Sequence, residues 1–430
     1  MIMNLRASRV IFNQIRCYCY KPVRRVSLPP ASKLAPKVAA SVDNFSLKNE
    51  FKSRILATGP IPVAAYMKQV LTNPAAGYYM NEADVFGSKG DFVTSPEIGQ
   101  IFGELVAAWC LNEWTKFGRP APYQLIELGP GKGTMMRDVL RVFRRLGASD
   151  GLSVHLVEMS EHLSEVQAEL LCRSSEECAD KAYYRAGVTR AGTKVFWYRH
   201  LEDVPAGFSI VLAHEFFDAL PIHKFQKQDN VWKEVLVDVD SDNKDKLRFV
   251  LSKAETPMLK LVLNNYPELV KDREHIEISL DSESIIRQIA QRFNATGGYA
   301  LVVDYGHSGE KGDTFRAFKN HKLHDPLEEP GSADLTADVD FSLLNRFCEN
   351  TGQIFTMGPI EQGSFLEMAG SKDRLEVLLA NAKSEEEKHR LSDGYKMLTD
   401  RDQMGSRFKF FALFPKELES FFKSQSQAEG

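Results

Sequence analysis

The six residues Tyr123-Gln124-Leu125-Ile126-Glu127-Leu128 run straight into Gly129-Pro130-Gly131-Lys132-Gly133 and then into a stretch of helical spacing, residues 134–147. A strand, a glycine turn and a helix in immediate succession form the start of a βα unit, whose partner strands return by crossover connections. The rest of the chain repeats this rhythm. Residues 154–159 read as a second strand followed by the helix SEHLSEVQAELL, residues 208–217 and 299–306 as further apolar runs, and residues 407–415 as a last strand. The expected fold is therefore α/β, with a Rossmann-like, mostly parallel sheet. Residues 224–297 break the rhythm with paired strand patterns and one helical pattern, which suits an inserted α+β lobe. Proline-broken helices precede the sheet over residues 43–75.

The glycine turn limits what the sheet can hold. A phosphate-cradling P-loop, GxxxxGK[ST], does not fit, because no glycine stands at the required place before Gly131. The dinucleotide pattern GxGxxG needs glycine where Thr134 stands. What remains is ExGxGxG, formed by Glu127, Gly129, Gly131 and Gly133. A carboxylate at the strand end would repel a pyrophosphate and suits a cationic nucleoside ligand. S-adenosyl-L-methionine, with an ammonium, a sulfonium and no phosphate, has that chemistry. Glu158 closes the next strand, where an acidic residue accepts hydrogen bonds from both ribose hydroxyls. The bland alternative is a tight structural turn with two solvated glutamates.

Charge separates the first 40 residues from the rest. They hold eight of the 54 basic residues and none of the 58 acidic ones, so the remaining chain carries a formal charge of −12. An acidic body lacks the basic footprint of a nucleic-acid binder. Arg6, Arg9 and Arg16 recur with apolar neighbours at helical spacing, the pattern of a mitochondrial transit peptide, although a disordered basic tail would share the composition. No apolar run approaches the ~20 residues of a membrane span. Of six cysteines, Cys17 and Cys19 fall in this leader, and Cys110, Cys172, Cys178 and Cys348 form no CxxC pair, so no metal site is expected. The expected organisation is transit peptide and linker, 1–42; N-terminal helical and lid segment, 43–98; first part of the cofactor-binding domain, 99–223; inserted substrate-side lobe, 224–297; remainder of that domain, 298–417; disordered tail, 418–430. Oligomeric state is not legible.

Six stretches together resemble the MidA-like family of methyltransferases: GYYMNEADVFGSKGDFVTSPEIGQIFGELVAAW, LIELGPGKGTMMRDVLR, LAHEFFDALPIHKF, ALVVDYGH, ADLTADVDF and SRFKFFALFP. They span Gly77 to Pro415, and GDFVTSPE and HEFFDALP are far more specific than the glycine loop. The chain departs from the family pattern at His214, where asparagine is expected, and in Thr336-Ala337-Asp338-Val339-Asp340. The resemblance implies a class I methyltransferase sheet and a mitochondrial matrix enzyme. Its expected partner is a protein substrate, an arginine on a core subunit of complex I that it dimethylates symmetrically to support assembly. A non-catalytic assembly chaperone keeping the fold, or a small-molecule methyltransferase, are the alternatives.

Arginine methylation sets its own requirement. The guanidinium stays protonated and meets a sulfonium of like charge, a repulsion of about 4 kcal/mol at ~4 Å and an effective dielectric near ~20. Carboxylates must offset it. Glu215 and Asp218, just beyond the strand 208–213, are the catalytic candidates; otherwise Glu215 caps a turn and Asp218 begins a helix. Asp91, Thr94 and Ser95, in the segment Gly90–Glu97, are expected to close over the cofactor, with Ser95 also placed to cap a helix that begins at Pro96. His214 reads as a structural histidine, and Asp304 either as a pocket residue or as a solvated strand end. Trp109, Phe216 and Phe217 read as core, and Lys132, Arg137, Arg141, Arg144 and Arg145 as a solvated helix face.

Overall fold

A computed structural model of the chain describes residues 46–80, 93–271 and 273–427. The expected transit peptide, the linker and Asp91 lie outside the described residues. Nine strands make the central sheet: β1 (Tyr123–Leu128), β2 (Leu152–Val157), β3 (Cys172–Glu177), β4 (Arg185–Thr189), β5 (Lys194–Tyr198), β6 (Ser209–His214), β7 (Gly298–His307), β8 (Ile354–Glu361) and β9 (Phe408–Pro415). Their spatial order is β8-β9-β7-β6-β1-β2-β5-β4-β3, and the two-residue strand Val339–Asp340 pairs alongside the end of β7. The strands β5, β2, β1, β6 and β7 are mutually parallel, whereas β9 runs antiparallel between β7 and β8.

The parallel strands are apolar almost throughout because helices cover both faces. Alternate residues feed two cores. Leu125, Val154, Leu156, Ile210, Leu212, Tyr299 and Leu301 face one, beneath the helices Gln100–Lys116 and Thr134–Arg145. Ile126, Leu128, Val157, Val211, Ala213, Ala300 and Val302 face the other, beneath Leu280–Thr296 and Phe341–Thr351. In Thr134–Arg145 the buried Met135, Met136, Val139, Val142 and Phe143 follow helical spacing. Arg141, expected among solvated arginines, instead donates to the buried carboxylate of Glu104 at 2.9 Å, and Arg374 takes the same carboxylate in a two-toothed grip at 2.6 and 3.1 Å. This pins a helical insertion, residues 362–407, to the sheet domain.

Residues 223–278 supply four strands that, with Ile61–Pro62, form a separate five-stranded antiparallel sheet. It shares a third core with the N-terminal helices Leu47–Thr58 and Val63–Thr72. The helix Leu280–Thr296, grouped with the insertion in the sequence reading, packs on the central sheet through Ile286, Ile289, Ala290 and Phe293. The expected disordered tail differs too. Glu419–Gln427 is helical, because Phe422 buries its ring against Phe414, 4.6 Å between centroids, an aromatic anchor that the polar end of the chain conceals. Among the described residues, no helix is long and apolar enough to cross a membrane.

Candidate functional site

Register brings four strand ends to one level. Leu128 of β1 pairs with Val157 of β2 and with Ala213 of β6, and Ala213 pairs with Val302 of β7. Glu127, Glu158, Glu215 and Asp304 therefore gather at one edge of the sheet. After β1 the chain moves to β2 and β5, then returns to lay β6 on the opposite side of β1. The crevice at that reversal, outside the carboxyl ends, is where open α/β sheets hold ligands.

A cavity of about 1250 Å³ opens there, larger than a single nucleoside needs. Glu127, Gly129, Gly131, Glu158, Thr94, Glu215 and Asp218 all line it. Gly133 does not. It caps the helix Thr134–Arg145 with φ +80°, packed against Gln167. Ser95 is buried behind the wall, and Thr94 takes the helix-cap position expected of it; the helix stops at Ile98 and a second begins at Gln100. Phe217 and Trp109 are core as expected, whereas Phe216 also forms cavity wall beside Gly129.

One part of the cavity wall consists of the glycine elbow and two buried glutamates, the residues expected on the cofactor side. Gly129 and Gly131 have φ of +61° and +52°, the left-handed region that L side chains avoid. Glu127 is buried with Oε2 lacking any hydrogen-bond partner, and burial pushes its carboxyl up to about 8. Glu158 accepts from the Ser160 amide at 2.8 Å and from Gln167 Nε2 at 3.0 Å. Burial pushes its carboxyl up to about 7 against the pull of those donors. A buried orphan carboxylate is costly alone, so Glu127 fits a ligand that brings a cation, as the methionine end of S-adenosyl-L-methionine does.

A second part of the wall, expected on the substrate side, is a strained elbow after β6. Glu215 has φ +48°, outside the range most residues adopt, a cost of about 1–3 kcal/mol. Asp304 holds it. Neither a cavity residue nor solvated, it is fully buried, and its Oδ2 accepts from the amides of Phe216, Phe217 and Asp218 at 3.2, 3.0 and 3.4 Å. The elbow presents Glu215, 3.3 Å from His214 Nε2 and 3.4 Å from the Ser95 amide, to the cavity. Burial and then the nearby Asp218 charge raise the Glu215 carboxyl well above the usual range. Burial holds His214 down to about 3, so it is neutral. Asp218 Oδ2 accepts from the hydroxyls of Tyr305 and Thr336, the latter at 2.9 Å, while its buried Oδ1 has no partner. Sequence reasoning missed Tyr305, Thr336 and Gln167. The first two lie within ALVVDYG and ADLTADVDF, but nothing in those strings says that they converge on Asp218.

A doubly wound sheet with a glycine elbow and acidic strand ends defines the class: an α/β enzyme for a positively charged nucleoside cofactor. Residues 105–360 match the sequence family described as putative S-adenosyl-L-methionine-dependent methyltransferases. Among curated relatives, the Drosophila melanogaster protein named protein arginine methyltransferase NDUFAF7 homolog, mitochondrial, is 52% identical over 93% of this chain and 94% of its own length. The Homo sapiens protein arginine methyltransferase NDUFAF7, mitochondrial, is 50% identical over 85% and 82%. A crystal structure from Burkholderia thailandensis, described as a likely methyl transferase bound to S-adenosyl-homocysteine, shares the fold with TM-score 0.69 at 24% identity, covering 85% of this chain and 91% of that one. The chain belongs to this S-adenosyl-L-methionine-dependent methyltransferase family.

Two outcomes follow for the cofactor side. Glu158→Ala should weaken S-adenosylhomocysteine binding by about 1–3 kcal/mol, the scale of charged hydrogen bonds; an unchanged calorimetric titration would remove Glu158 from the site. Because the Glu127 carboxyl stands near 8 and a ligand ammonium favours its charged form, binding should tighten as pH rises through neutrality and should release protons. Calorimetry in buffers of different ionisation enthalpy measures that release. A pH-independent affinity would count against the pairing.

Proposed function

We propose that the chain is a mitochondrial matrix protein arginine methyltransferase that symmetrically dimethylates an arginine on a core subunit of complex I, in support of its assembly. The observation that carries this reading is the unpartnered Oδ1 of Asp218, buried beside Glu215 in the wall of the cofactor cavity. The names of the curated relatives support arginine and the mitochondrion. The complex I subunit and the symmetry of the product follow from the family resemblance.

In this reading Glu127 would hold the cofactor's ammonium and Glu158 its ribose hydroxyls, while Gly129 and Gly131 let the backbone approach it; Thr94 completes that side of the cavity. When bound, S-adenosyl-L-methionine supplies a methyl carbon activated by its sulfonium. Asp218 Oδ1 accepts hydrogen bonds from the substrate guanidinium and leaves one terminal nitrogen free to attack in line. Tyr305 and Thr336 fix the other Asp218 oxygen, so the orphaned one keeps its aim. Glu215 offsets the like-charge repulsion between guanidinium and sulfonium. The arriving guanidinium favours the ionised form of Glu215, and its raised affinity for protons then suits it to receive the proton that the methylated nitrogen gives up.

Incubating the protein with methyl-labelled cofactor and mitochondrial extract, followed by peptide mapping, tests this reading. Label on an arginine of a complex I core subunit is expected. Cofactor binding without labelling would instead indicate a chaperone, and label confined to small molecules a different methyltransferase.

A further inference from the structure

The glycine elbow and the ribose-side glutamate come from different βα units, yet one buried side chain ties them together. Gln167, on the helix Glu161–Leu171, is fully buried. Its Nε2 donates to the Gly131 carbonyl oxygen at 2.7 Å and to Glu158 Oε2 at 3.0 Å. Its Oε1 accepts from the Trp197 indole N–H at 2.8 Å, on β5. An indole nitrogen only donates, and a carbonyl and a carboxylate only accept, so these three partners admit one orientation of the carboxamide. Gly133, which ends the elbow, packs on the same side chain; a Cβ there would lie 3.5 Å from Gln167 Cγ.

We propose that Gln167 is a positioning residue for the cofactor. It sets the spacing between the Gly131 turn and the Glu158 carboxylate, and its N–H fixes the orientation of that carboxylate. Both nitrogen hydrogens are used, so Gln167 touches no ligand and acts only through its two partners. Trp197 is the second link: it fixes which end of the amide faces Gly131 and Glu158. The sequence conceals this device, because a glutamine on an amphipathic helix and a tryptophan on an apolar strand carry no signature of joint action. The proposal rests on the reading of Glu158 as the ribose ligand.

The test is calorimetric titration of the full chain with S-adenosylhomocysteine as a function of pH. Gln167→Met keeps the length and apolar fit while removing all three hydrogen bonds. It should weaken binding by about tenfold or more at neutral pH. Without its donor the Glu158 carboxyl rises further above about 7, so the lost affinity should return in part as pH is raised. Trp197→Phe, which keeps an aromatic ring but removes the N–H together with part of the buried indole, should show a smaller loss with the same pH dependence, the pH dependence separating the lost hydrogen bond from the cavity it leaves. It supplies the answer if the first variant does not fold. Wild-type affinity in either folded variant would overturn the proposal, as would a loss independent of pH, which marks a merely structural role. Glu158→Ala separates the two levels. If that change leaves binding intact, the ribose assignment itself fails. If it weakens binding while Gln167→Met and Trp197→Phe do not, only the role of Gln167 fails.

Discussion

Replacing Gly131 with valine should abolish detectable cofactor binding, a loss of more than about 3 kcal/mol or roughly 100-fold in affinity, in a chain that still folds. Gly131 has φ +52°, and a Cβ built there meets nothing within 4 Å. The added Cβ would therefore stand in open space at a residue that lines the cavity, where a branched side chain takes room from the ligand. The left-handed backbone adds strain of about 1–3 kcal/mol for a branched residue, or it moves the elbow away from Glu158 through the carbonyl that Gln167 holds. Either response harms binding, while the strain remains small enough for a chain with three apolar cores to absorb. Thermal melting and S-adenosylhomocysteine titration together decide it. Normal affinity would remove the elbow from the cofactor site, whereas an unfolded variant would show that the turn carries stability as well.

Asp218→Asn should lower methyl transfer by about 100-fold to 1000-fold, on the scale of deleting one preorganised electrostatic contact, with cofactor affinity nearly unchanged. The asparagine fits the same space, and its carbonyl oxygen still accepts from Tyr305 and Thr336. Its amide nitrogen then occupies the place of the orphaned Oδ1 and presents hydrogens to a guanidinium that is itself all donor. The Asp218 charge beside the guanidinium is lost at the same stroke, while Glu215 remains. Single-turnover transfer to the protein substrate, with a parallel titration of cofactor, measures both halves. Unchanged turnover would clear Asp218, and an equal loss of cofactor affinity would move it to the cofactor side.

The residues expected to hold the cofactor could be read as one cluster because they are nearly contiguous, and they line one cavity. Glu127, Gly129 and Gly131 lie within five residues, and Glu158 ends the next strand, so a strand followed by a glycine turn specifies them locally. The elbow proposed to face the substrate was visible only as the string HEFFDALP. Asp304, read as either pocket or solvent, proves to be the clamp beneath that elbow, with its carboxylate spent on backbone amides 86 to 88 residues away. The tail misled for a similar reason, since Phe422 reveals its purpose only once Phe414 is beside it.

Local chemistry in the sequence determined the doubly wound sheet and the choice of a cationic nucleoside cofactor. Periodicity and glycine conformations act over a few residues and read the same in any context. The tertiary structure alone decided which carboxylates stay unpaired. Asp218 keeps a free oxygen because Tyr305 and Thr336 arrive from strands 87 and 118 residues further on, and Glu127 keeps one because no donor reaches it. Satisfaction of a buried polar atom depends on every neighbour that folding brings within ~3 Å, and no window of sequence contains that set.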